Sequence, residues 1–92
     1  MSNFGEALKA LKEGFKVARK GWNGNGMFAV MSPGHPGLAS ENLFSPPLKN
    51  YFEGFGSVCI LPSFMLKTAQ DDIAMWVPSC SDLLAEDWCI LD

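Results

Sequence analysis

A chain of 92 residues and 10.0 kDa has room for one small domain and no second core. Its 48% hydrophobic and 18% charged residues suffice to bury a core and are not the composition of a disordered chain. Seven Lys and Arg against ten Asp and Glu give a net charge of -3 with no basic run, which argues against duplex DNA or RNA as a partner and leaves a small charged ligand open.

Phe4, Ala7, Leu8 and Leu11 fall on one helical face, with Asn3 and Glu6 placed as a capping box and Gly14 where a helix ends at positive φ. Residues 15–20 alternate as a strand, and a second strand is predicted over Met27–Met31. The Asn23-Gly24 pair between them is a hairpin signal, because both residues tolerate positive φ. From Ser32 to Gly56 the prolines and glycines predict a long loop, with the aromatics Phe44, Tyr51, Phe52 and Phe55 packing against something. Residues 57–67 resume a strand-like run with an edge or bulge at Pro62. A turn at Asp71-Asp72, a strand over Ile73–Val77, a short helix capped by Ser79 or Ser81 and a last strand over Trp88–Leu91 complete the chain. The predicted class is α+β: a small antiparallel sheet packed with an N-terminal helix and a short C-terminal helix, one domain spanning 1–92 with a long variable loop at 32–56.

A core this small rarely supplies more than about 3 to 5 kcal/mol unaided, and 12% aromatic content is rich, so composition alone leaves self-association open. The three cysteines, Cys59, Cys80 and Cys89, lack metal-site or redox spacing and read as reduced thiols in a cytosolic protein. The N-terminal residues do not follow a leader pattern and no apolar run approaches about 18 residues, so neither export nor membrane insertion is expected.

Catalytic signatures are weak. His35 is the one histidine, lies between Gly34 and Pro36, and reads as a solvated side chain. Asp71-Asp72 and Glu86-Asp87 are adjacent carboxylates whose side chains diverge and read as solvated turn and surface residues. One His and three scattered Cys give no metal-ligand spacing, and Gly21-x-x-Gly24-x-Gly26 joins two strands where a dinucleotide fingerprint would join a strand to a helix. Binding features are stronger. Trp22 sits in a Gly- and Asn-rich turn and Trp76 near a strand end, where each either meets a ligand or packs into the core. Ser79, Ser81 and Asp82 stand at a helix start, suited to phosphate oxygens or to capping alone. Arg19 and Lys67 either neutralise a phosphate or guard a sheet edge.

The string Asn3-Phe4-Gly5-x-Ala7-Leu8-x-x-Leu11-Lys12-x-Gly14-x-x-Val17-x-Arg19-x-Gly21-Trp22-Asn23-Gly24 resembles the opening of the second type of phage Thoeris anti-defence protein. Met65-Leu66-Lys67-Thr68-Ala69 and Trp76-x-x-Ser79-x-x-Asp82-Leu83-Leu84-Ala85-Glu86-Asp87-Trp88 resemble that family's second block, and together the blocks cover about half the chain. The loop at 32–56 lies outside both blocks, and similar proteins differ most there. The resemblance implies a non-enzymatic sponge in the cytoplasm of the infected bacterial host, without a cofactor. Such proteins bind cyclic ADP-ribose isomers such as glycocyclic ADP-ribose, made by TIR-domain proteins, and block Thoeris immunity by sequestering the signal uncleaved. It further implies homotetramers with ligand held between protomers, and cyclic dinucleotides of CBASS immunity at separate sites in some members.

On that footing Trp22 and Asn23 would meet the ligand from the hairpin turn, and Trp76, Ser79, Ser81 and Asp82 from the strand-to-helix junction, with Met27, Phe28, Lys67 and Thr68 as lesser contributors. An adenine would stack on an aromatic ring, phosphates would take backbone N–H groups and polar donors, and Asp82 would accept from a ribose hydroxyl or an adenine amino group. The competing readings are a small protein-binding inhibitor acting directly on a host protein, a nucleotide hydrolase, and an inert structural oligomer.

Overall fold

The computed structural model describes residues 1–22 and 26–91. Helix α1 spans Phe4–Lys12 and starts as the sequence predicts: the Asn3 Oδ1 accepts from the Glu6 amide at 2.9 Å, and the Glu6 Oε1 accepts from the Asn3 amide at 3.4 Å. It ends at Gly14, whose φ of +94° suits a residue without a Cβ. The buried face is Ala7, Ala10 and Leu11, and Leu8 is only half-buried. Ala10 therefore takes the place expected of Leu8, because a small side chain lets the helix lie close on a sheet.

Strand β1 covers Lys16–Arg19, β2 Phe28–Ser32, β3 His35–Ala39, β4 Ser57–Ile60, β5 Ser63–Lys67, β6 Ile73–Met75 and β7 Trp88–Leu91; α2 is Pro46–Tyr51 and α3 Cys80–Leu84. Strands β1 and β2 run antiparallel with Val17 opposite Ala29, as the hairpin signal requires. The Asn23-Gly24 turn itself lies outside the described residues. A five-stranded sheet has the order β6-β5-β2-β1-β7, and β3 and β4 form a separate two-stranded sheet. The architecture is α+β, with antiparallel sheets, an N-terminal helix and a short C-terminal helix.

Two compact units divide the chain, one of residues 1–32 and 64–92, the other of 33–63. In the first, α1 lies against β1, β2 and β7, and its core is Ala7, Ala10, Leu11, Val17, Ala29 and Trp88. Arg19 and Lys67 do not guard an edge: β1 lies between β2 and β7, and β5 between β6 and β2.

The second unit corrects the expectation of a loop at 32–56. That segment holds β3, a 3-10 turn at Ser40–Asn42 and α2, so His35 is a strand residue, and Leu43 is the unit's buried side chain. The prolines that read as loop punctuation fit these elements. Pro46 and Pro47 occupy the first turn of α2, where an amide hydrogen is not needed, and Pro36 sits on a strand paired on one side only. The run at 57–67 is likewise two strands in different sheets, divided at Leu61-Pro62.

Gly34 has a φ of +76°, and a Cβ there would stand 2.2 Å from the Ile60 carbonyl oxygen. Gly34→Ala is expected to cost this unit at least about 1 to 2 kcal/mol from the left-handed conformation, with the clash adding to it. Faster amide hydrogen exchange across β3 and β4 checks this; unchanged protection would contradict it.

Candidate functional site

Trp88 opens β7 with no exposed surface, and its Nε1–H donates to the Asp82 carbonyl at 2.9 Å. Around it stand Phe4, Trp22 and Trp76, with ring centroids at 5.5, 5.4 and 5.9 Å. Trp22 and Trp76 also meet each other edge to face at 6.1 Å, and Phe64 packs on Trp76 at 5.7 Å. Each such pair adds about 0.5 to 1.5 kcal/mol beyond area burial. Trp22 and Trp76 are half-buried, so each packs against the core and keeps part of its ring at the surface. The two uses that the sequence left open, packing and contact, are compatible in these rings.

The Ser79 hydroxyl caps α3 by accepting from the Asp82 amide at 3.2 Å, and the Asp82 carboxylate returns the contact by accepting from the Ser79 amide at 3.0 Å. The Ser79 and Ser81 hydroxyl oxygens lie 3.0 Å apart. The second Asp82 oxygen accepts from the Arg19 guanidinium at 3.0 Å, and Asp87 accepts from the same guanidinium at 2.9 Å and from the Gly21 amide at 3.0 Å. Arg19 thus ties the turn that carries Trp22 to the start of α3. Residues 63 and 68 positions apart meet in this triad.

The electrostatics follow from these bonds. Burial pushes the Asp82 carboxyl up, but hydrogen bonds from the Ser79 amide, Arg19, the Ser79 hydroxyl and Trp22 outweigh it and hold the group below the ordinary carboxylate range. The Arg19 guanidinium does the same for Asp87, helped by the Gly21 amide, and the two carboxylates raise Arg19 in turn. A carboxyl with a depressed folded-state pKa lends stability that is complete above its unfolded value near about 4 and is lost as pH falls through the folded value. The melting temperature is therefore expected to drop as the pH is lowered from about 5 toward 2, and to drop less steeply in Arg19→Gln. Parallel profiles for the two proteins would contradict this.

The structure brings Trp22, Trp76, Ser79, Ser81 and Asp82 to one region around the Arg19 triad. It does not bring Phe28 there. Phe28 is the neighbour of the buried Ala29 in β2 and faces the other side of the sheet, with the Lys16 ammonium 5.1 Å from its ring centroid. Lys67 likewise alternates with the core-packed Leu66; it pairs with Asp71 and its ammonium lies close to Gly26. Thr68 closes the adjoining turn, its hydroxyl accepting from the amides of Gln70 and Asp72. Met27 is half-buried before β2, and Asn23 lies outside the described residues.

Sequence reasoning missed two parts of this region. Asp87, expected to be a solvated surface residue, is the second partner of Arg19, and Trp88 is the centre of the aromatic cluster. The pairing of Arg19 with Asp87 has no local signal. For Trp88, its place in a β-strand between an acidic pair and a run of apolar residues was the available hint. A surface groove of about 310 Å³ lies elsewhere, lined by Glu6, Lys9, Ala10, Glu13, Phe15 and Ile90, none of them an expected ligand residue. Among the described residues, no group of three or more His, Cys, Asp or Glu is placed to hold a metal ion, and no helix is long and apolar enough to cross a membrane.

The comparisons with known proteins agree with the N- and C-terminal motifs. The model of the Thoeris anti-defense 2-like domain matches residues 2–91. The chain is also 43% identical over 93 residues to Thoeris anti-defense 2 of Bacillus phage SP01, covering 97% of this chain and 93% of that protein. The chain therefore belongs to the Thoeris anti-defense 2-like family.

Proposed function

We propose that this protein is a phage anti-defence sponge that binds cyclic ADP-ribose isomers, such as glycocyclic ADP-ribose made by TIR-domain proteins, and withholds them from Thoeris immunity without cleaving them. It acts in the cytoplasm of the infected bacterial host. The observation that carries the reading is the convergence of two half-buried indoles, Trp22 and Trp76, with the capped start of α3. That convergence lies in a chain that matches the family model over residues 2–91. An exposed part of either indole offers a stacking face for adenine, worth about 1 to 3 kcal/mol per base. The Ser79 and Ser81 hydroxyls and the first-turn amides of Cys80 and Ser81 are donors for phosphate oxygens, the Asp82 amide being taken by the Ser79 hydroxyl. Both Asp82 oxygens already accept hydrogen bonds from the fold, and a carboxylate oxygen has a second lone pair with which to take a ribose hydroxyl or an adenine amino group.

Asn23, Met27, Phe28, Lys67 and Thr68 belong to the same proposal as lesser contributors. Phe28 and Lys67 then contact the ligand from the other face of the sheet, through a second protomer or a second ligand. Assembly as a homotetramer and binding of cyclic dinucleotides of CBASS immunity at a separate site complete the reading. Calorimetric titration with a cyclic ADP-ribose isomer tests it: saturable binding with the nucleotide intact afterwards is expected, and absence of heat with cyclic ADP-ribose isomers would reject it.

A second reading has its own observation. In the unit of residues 33–63, Tyr51, Phe52 and Phe55 form a ring cluster with centroids 4.9 to 6.1 Å apart, and Phe44 is 88% exposed. Such a surface suits a protein-binding inhibitor acting directly on a host protein. Retention of a host protein with no nucleotide bound would favour it.

A further inference from the structure

Asp82 is the one charged side chain buried among the described residues, and Arg19 is the cation that answers it at 3.0 Å. A carboxylate is tolerated in such a place where hydrogen bonds and an opposite charge surround it. Arg19 supplies more than charge. Its Nη1 donates to Asp82 and its Nε to Asp87, so two nitrogens of one rigid fork bridge two carboxylates. The guanidinium thereby joins the start of α3 to the residue that precedes β7.

Asp87 carries the connection on to the turn of Trp22. Its Oδ1 accepts from the Arg19 Nε at 2.9 Å and its Oδ2 from the Gly21 amide at 3.0 Å, so each oxygen holds a different partner. The approach is close: a Cβ added at Gly21 would stand 3.2 Å from the Asp87 Oδ2. On either side, the Lys20 amide donates to the Asp87 carbonyl at 3.1 Å and the Trp22 amide to the Arg19 carbonyl at 3.2 Å. The amides of Lys20, Gly21 and Trp22 are thus all held by Arg19 or Asp87, just where the chain delivers the indole that meets Trp76 and Trp88.

We propose that Arg19 and Asp87 are positioning residues of the candidate site: they meet no ligand themselves, and they hold the Trp22 turn against the start of α3 so that the stacking face and the phosphate donors stand in place before the nucleotide arrives. A site set in advance spends less of its binding free energy on ordering loops and side chains. The inference rests on the ligand reading proposed above and deepens it. Simple electrostatics points the other way for Asp87. Removing a carboxylate from beside an anionic nucleotide tightens binding if charge decides, and weakens it if the carboxylate positions the turn.

Asp87→Asn separates the two. The new side chain keeps the shape and one acceptor oxygen, so either the Arg19 Nε or the Gly21 amide is left facing an N–H2 group. Calorimetric titration with a cyclic ADP-ribose isomer is expected to show binding weakened about 10-fold or more, the effect that outer partners have at metal sites. Arg19→Lys keeps the charge but puts one nitrogen where two act, and is expected to weaken binding as well. Leu11→Val, which thins the buried core and leaves the triad intact, is expected to lower the melting temperature and keep wild-type affinity. Wild-type or tighter affinity in Asp87→Asn overturns the inference, as does full affinity in Arg19→Lys or an equal loss in Leu11→Val, which would make global stability the cause. If Asp87→Asn does not fold, Arg19→Lys against Leu11→Val decides the matter. A wild type that binds no cyclic ADP-ribose isomer rejects the ligand reading and this inference with it; a wild type that binds, with any of the contrary variant results, rejects this inference alone.

Discussion

Trp88→Ala is expected to leave the protein largely unfolded at 25 °C. The side chain has no exposed surface, touches three other aromatic rings and donates its indole hydrogen to the Asp82 carbonyl. Truncating a buried tryptophan costs about 3 to 5 kcal/mol. A small core rarely supplies much more than that in total. The loss also reaches the candidate site, because Trp22 and Trp76 both rest on the Trp88 ring. Urea unfolding followed by tryptophan fluorescence and circular dichroism measures the effect. Leu84→Ala, at a side chain 82% exposed, is the control and is expected to change stability by less than about 0.5 kcal/mol. A Trp88→Ala protein with a wild-type transition midpoint would contradict the packing described.

Trp22→Ala is expected to weaken binding of a cyclic ADP-ribose isomer by about 5- to 150-fold, the equivalent of about 1 to 3 kcal/mol of stacking on one base. Trp22→Phe keeps a π-face and is expected to recover most of that loss. The pair of variants separates ligand contact from packing, since Trp22 also supports the core. Both are measured by calorimetry on protein whose circular dichroism spectrum matches the wild type. Wild-type affinity in a folded Trp22→Ala protein would remove Trp22 from the site.

Much of the fold is legible because its signals are local. Asn3, Glu6 and Gly14 mark both ends of α1, Ser79 and Asp82 mark the start of α3, alternation marks β1, and the Asn23-Gly24 hairpin signal marks β2. The two-stranded sheet is not legible for an equally local reason. Proline and glycine ordinarily break structure, yet Pro46 and Pro47 sit in a first helical turn, and Pro36 on a strand paired on one side only.

The candidate site divides in the same way. The helix-start residues Ser79, Ser81 and Asp82 follow from capping chemistry, and their contacts with one another span three positions or fewer. The meeting of Arg19 with Asp82 and Asp87 follows only from tertiary packing, because no periodicity relates β1 to residues more than 60 positions later. Phe28 shows the cost of reading proximity along the chain as proximity in space. It lies six residues after Trp22 and on the opposite face of the sheet from the buried Ala29.

The central claim is sequestration without turnover, and capture followed by heat release tests it most directly. Purified protein is mixed with a cyclic ADP-ribose isomer from a TIR enzyme, free nucleotide is removed, the protein is denatured by heat, and the released material is identified by chromatography and mass spectrometry. Recovery of the intact cyclic nucleotide in stoichiometric amount is the expected result. Recovery of a cleaved product, or of no nucleotide at all, would contradict the account.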